Sequence, residues 1–146
     1  MEGVLRHMEE PLTEELLQEL MDSPDADSYL AEHPSQPRSL SDYLQQLLDE
    51  KGLVRVDVVR DAGLNSTFGY QIFKGERGAS RDKVLQIAFA MGLSLKETNR
   101  ALQAAGANEL YCKNRRDAII IFCLTHGSSL QETDEELYRL GEATIC

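Results

Sequence analysis

The chain has 146 residues, 42% of them apolar, with three cysteines, no tryptophan and a formal net charge of −10. That length suits one small domain with an appendage, and only 6% aromatic residues favour a helical core of Leu, Ile, Val and Ala over a β-sandwich. No apolar run approaches the roughly 18 residues of a membrane span, the acidic start "MEGVLRHMEEPLTEE" lacks the apolar core of a secretory signal, and the odd, widely spaced Cys112, Cys123 and Cys146 argue against a disulfide framework.

These features lead to the expectation of a reduced cytoplasmic protein. Cys123, in an apolar run, reads as a small core residue, and Cys146, the last residue, as mobile. Charge is uneven. Residues 1–50 hold 2 basic and 13 acidic side chains, residues 51–83 hold 7 and 4, and residues 84–146 hold 6 and 8. The one basic section is therefore 51–83.

In chain order, "LTEELLQELM" (12–21) spaces Leu12, Leu16, Leu17 and Leu20 for a helix, with Thr13 as N-cap. Pro24 breaks it before a short turn through Tyr29 and Leu30, and "HPSQPRS" (33–39) reads as a linker. Residues 1–38 thus form an acidic N-terminal arm. Two readings stand: an unstructured tail, or an arm that docks its Leu stripe on a protein partner or on its own domain.

Residues 39–146 are punctuated regularly. Ser39 opens a helix with Leu40, Leu44, Leu47 and Leu48 on one face, and Gly52 closes it. "VRVDVVRDAG" sets Val56, Val59 and Ala62 inward and ends at Gly63. Asn65 caps a helix over 66–73 that stops at Gly75. Ser80 caps "RDKVLQIAFAMG", with Val84, Ile87, Ala88 and Met91 inward. Ser94 and Glu97 have capping-box spacing before "KETNRALQAAG". Five helices joined by short turns result, with no strand-like alternation.

The stretch "VRVDVVRDAGLNSTFGYQIFKGERGASRDKVLQIAFAMGLSLKET" resembles the helix-turn-helix of the Cro and phage-repressor (Xre-like) family of bacterial transcriptional regulators. The match runs through Val59 and Ala62 on the first helix, Gly63 and Leu64 in the turn, Ile72 late in the second helix, and Gly75 after it, and it covers residues 40–104. The resemblance implies that the second helix enters the major groove. It implies outward contacts from Ser66, Thr67, Tyr70 and Gln71, with Lys74 near the backbone. Gln71 suits bidentate pairing to adenine, and Thr67 a thymine methyl. Arg77, Arg81 and Lys83 are candidate phosphate contacts, and Asn65 is foremost a cap. The chain departs from the family at Gly69, where a bulky apolar residue is usual, at Phe73, where a polar one is common, and at the large Tyr70. Phe68 or Phe73 is expected to fill the space above Gly69.

Residues 81–110 recur at 116–145 without a gap, at an offset of 35, with Arg, Asp, Gly, Ser, Leu, Glu, Thr, Leu and Gly in place. This reads as a duplicated helical pair, stacked to share a core. The fold class is therefore all-α: a five-helix repressor-like bundle extended by a C-terminal helical hairpin, seven helices after the linker. The hairpin should pack on the fourth and fifth helices of the bundle and is a candidate dimer face. "AIIIFCL" is apolar all round, so helix 118–124 is expected to be centrally buried. Lys113, Arg115 and Arg116 are candidates for a phosphate or partner contact, with Asn114 as the helix cap. Arg81 and Arg116 have a second reading, as partners of neighbouring acids.

The leading functional expectation is a sequence-specific regulator of double-stranded DNA, dimeric on paired half-sites, without cofactor or metal. The alternative is a protein-interaction adaptor that uses the same scaffold with little or no DNA binding. An enzyme is not expected. His7, His33 and His126 lie far apart, and no phosphate loop or nucleophile constellation occurs. His126 suits a helix end, where a cation is favourable.

Overall fold

The structure, a computed structural model, describes residues 13–32 and 39–146. His7, Leu12, His33 and the Pro-rich stretch 33–38 lie outside the described residues. All regular structure among those described is helical.

The chain divides into two compact units, Met1–Pro37 and Arg38–Cys146. In the first, α1 (Thr13–Asp22) packs on α2 (Ala26–Glu32). Ser23 and Asp25 make the break between them. Ser23 Oγ donates to the Glu19 carbonyl at 2.8 Å, and Asp25 Oδ1 accepts the Ser28 N–H at 2.7 Å. Leu17, Leu20 and Met21 of α1 are exposed.

In the second unit, α3 (Leu40–Lys51) starts where Ser39 Oγ accepts the Asp42 N–H, and buries Leu40, Tyr43, Leu44, Leu47 and Leu48. It packs against α5 (Ser66–Lys74) and α7 (Leu95–Ala104). The short α4 (Arg55–Asp61) packs against α5 and α6 (Arg81–Met91). Its inner face differs from expectation. Val58, Val59 and Ala62 are buried, while Val56 is 64% exposed. At about 100° per residue, positions 58, 59 and 62 cluster and 56 falls beyond their edge. The carbonyl of Ala62, at the end of α4, accepts a hydrogen bond from the buried Gln86 Nε2 at 3.0 Å. A polar residue is thus built into the inward side of α6 to satisfy a buried backbone oxygen.

α8 (Arg115–Thr125) packs on α7, and α9 (Leu130–Arg139) on α8 and α6. Both α7 and α9 open with a complete capping box, Ser94 with Glu97 and Ser129 with Glu132. Cys123 is buried, but α8 is not central. Ile120 and Cys123 face inward, whereas Phe122 is 59% exposed. Continuous apolar sequence removes the periodic signal that would have told the outer face from the inner one.

One contact set occurs twice at the 35-residue offset. Arg81 Nε and Nη2 donate to the carbonyls of Asn108 (3.0 Å) and Glu109 (3.1 Å). Arg116 Nε and Nη2 donate to those of Ala143 (2.8 Å) and Thr144 (3.1 Å). Each arginine then crosses to the other segment. Arg81 makes a two-pronged pair with Asp117 at 2.7 and 2.9 Å, and Arg116 reaches Asp82 at 3.1 Å. Asn99 Oδ1 accepts the Leu110 N–H at 2.9 Å, and Asp134 Oδ1 the Ile145 N–H at 2.6 Å. Burial pushes the Asp117 carboxyl up, but the bonds from Arg81 and the Tyr111 N–H, with the fields of Arg81 and Arg116, outweigh it and leave the group below the usual carboxylate range.

Cys146 is held in place. Its N–H donates to Asp134 Oδ2 at 3.0 Å, and its sulfur accepts from Gln86 Nε2 at 3.4 Å. Burial and the neighbouring Asp134 push its thiol pKa up. The expected mobility overlooked that the backbone just before it is clamped by Arg116 and Asp134.

Candidate nucleic-acid interface

Three local devices set α5. Gly63 supplies the positive φ (73°) that turns the chain after α4, a conformation that costs L side chains. Asn65 Oδ1 accepts the N–H groups of Thr67 (2.9 Å) and Phe68 (3.1 Å), so its side chain is the cap. Gly69 permits close approach to α4: a Cβ there would lie 2.5 and 2.7 Å from the two methyl carbons of Val59. Val59, not Phe68 or Phe73, therefore occupies the space over Gly69. Phe73 is buried beside Ile72 on the inner face.

The inner face of α5 is thus sealed and its outer edge is open. Ser66, Thr67, Tyr70 and Lys74 are exposed and Gln71 is half-buried. Two rings on this edge are each approached by two cations. The Arg55 guanidinium lies 4.7 Å from the Tyr70 centroid and Lys74 Nζ 5.5 Å. The Arg77 guanidinium lies 5.0 Å from the Phe68 centroid and Lys83 Nζ 5.9 Å. Such contacts are worth about 0.5–1 kcal/mol each at exposed sites. They position the cations beside the two rings. Arg77 Nε also donates to Gln71 Oε1 at 2.9 Å, which orients the Gln71 amide. Asn65, Thr67, Phe68, Gln71, Arg77 and Lys83 line an open groove of about 410 Å³ at the start of α5. A second groove of about 370 Å³ runs between α4 and α5, lined by Arg55, Val56, Val59, Arg60, Leu64 and Tyr70.

The other candidate cations lie elsewhere. Arg81 is turned inward onto Asp117 and two carbonyls, so nearly all its donors already serve the fold. Arg116 is likewise committed to Asp82 and two carbonyls. Arg115 pairs with Glu142 at 3.2 Å and donates to the Leu140 carbonyl at 2.9 Å. Lys113 is exposed beside them. His126 stacks on Phe122 with centroids 3.9 Å apart, and its Nδ1 lies 2.7 Å from the Phe122 carbonyl.

Sequence reasoning missed Arg55. No local signal marks it, because its partner Tyr70 is reached only when the turn at Gly63 folds α5 back on α4. No family model, curated protein or solved structure matches the chain.

Proposed function

We propose that α4, the turn at Gly63 and α5 form a repressor-type helix-turn-helix within the bundle α3–α7, that α8 and α9 repeat α6 and α7, and that the protein is a sequence-specific DNA-binding regulator. α5 enters the major groove. The observation that carries this reading is the outer edge of α5. It is solvent-facing along its polar side and ringed by Arg55, Lys74, Arg77 and Lys83, each held over an aromatic ring of that helix. Ser66 and Thr67, at the leading end, face base edges. Gln71, oriented by Arg77, offers an amide suited to adenine. The four cations neutralise phosphates. Concentrating acid in residues 1–50 keeps general affinity for polyanions low, so binding depends on this one edge. A cytoplasmic location and a dimer on paired half-sites belong to the same reading.

A second reading, the adaptor, draws on one feature: Val56, 64% exposed, lines the α4–α5 groove with Tyr70. Selection from random duplex DNA separates the two. The regulator enriches one motif, and Gln71→Ala relaxes preference at one base position, by about 1–3 kcal/mol of discrimination. Arg77→Ala weakens all sites and, by releasing Gln71, blurs that same position. An unenriched pool from folded protein favours the adaptor.

A further inference from the structure

Within the second unit, α8 carries an outer face that its neighbours leave partly open. Arg115, Ala118, Ile119, Phe122, Thr125 and His126 recur at three- and four-residue steps, the spacing of one helix side. Phe122 is exposed, and the Ile119 beside it only half-buried. The residues 35 positions earlier behave oppositely. Val84, Ile87 and Met91, which correspond to Ile119, Phe122 and His126, are all buried in a unit where α6 is covered by α4 and α7. On α8 the corresponding Phe122 and His126 are exposed and Ile119 is only half-buried.

We propose that this face pairs two copies of the chain, α8 antiparallel to α8, about a two-fold axis at the level of Ile120. Two observations select a second copy as the occupant. First, the face is self-complementary. Phe122 stands one turn from the small Ala118, so a two-fold seats each Phe122 against the other copy's Ala118. Second, charge permits it. No Asp, Glu, Lys or Arg occurs from Ala118 to Gln131 in a chain of net charge −10, so two like-charged molecules meet here without repulsion. The Phe122 ring is already stacked on His126, so little freedom is lost on docking. One helix face buries less than a standard interface, which places the dimer in the weak range, Kd between about 1 µM and 1 mM. This surface does not depend on the DNA reading and is tested without DNA.

The test is sedimentation equilibrium of the full chain from about 10 µM to about 1 mM. Wild type is expected to pass from monomer to dimer. Phe122→Glu and, separately, Ala118→Arg raise Kd by at least about tenfold, with unchanged circular dichroism. Tyr138→Glu, at an 80% exposed residue outside the seam, leaves Kd unchanged. Wild type that stays monomeric throughout, or a dimer that survives both seam variants, overturns the proposal. So does a loss of dimer equally large in Tyr138→Glu.

Discussion

The arginines of the two ends of the second unit have opposite fates. Arg81 and Arg116 point into the molecule, where each joins a carboxylate of one segment to two carbonyls of another. Arg55 and Arg77 lie on the surface over Tyr70 and Phe68, with Arg77 holding Gln71 besides. In sequence the two kinds are alike, basic residues at helix starts and turns. What separates them is whether the fold supplies acceptors. A guanidinium with all its partners inside the molecule serves stability. One positioned by a ring, with donors to spare, is available to a ligand.

The contrast breaks most sharply at Asp117. Asp117→Asn removes the charge that Arg81 faces and should cost roughly 3 kcal/mol, read as a lowered urea midpoint. Asp82→Asn, at the more exposed of the two pairs, should cost less, about 1 kcal/mol. The Asp117 carboxyl is held below its ordinary value of 3.8 in the folded chain. Its contribution is therefore complete above that value and is lost as pH falls through the lower folded pKa. A urea midpoint measured against pH should show this acid limb in wild type and lose that part of it in Asp117→Asn.

At α5 the corresponding lesion is Gly69→Ala. Helix propensity alone favours Ala by about 1 kcal/mol, but the new Cβ meets the stiff Val59 side chain at 2.5 Å. A net loss of about 1–3 kcal/mol is expected. Val59→Ala should cost less in the Gly69→Ala background than alone, a coupling that a double-mutant cycle reads. The smallest effects test the likeness of the two helical pairs. Ser94→Ala and Ser129→Ala each remove one capping box and should cost about 1 kcal/mol, nearly equally.

Much of the helical layout was legible in sequence because caps and stops are local chemistry. Ser39, Asn65, Ser80, Ser94, Asn114 and Ser129 all accept the backbone N–H groups that their positions imply. What was not legible depends on contacts between elements. The inward Arg81 needs Asp117, 36 residues away, to reveal its role. Val56 and Phe122 look like core residues until the neighbours of α4 and α8 are known. The cations over Tyr70 and Phe68 come from both sides of α5, and only the turns at Gly63 and Gly75 bring them together. Gly69 showed that something must fill the gap, and only the packed structure shows it to be Val59.

The most direct test of the DNA reading is the salt dependence of binding to the selected duplex, by fluorescence anisotropy between about 50 and 200 mM salt. The reading predicts that log K falls linearly with log salt, and that Lys83→Ala reduces the slope by about 1. Folded protein that shows no duplex binding at any salt, or a slope unmoved by alanine at Arg55, Lys74, Arg77 and Lys83 together, contradicts it.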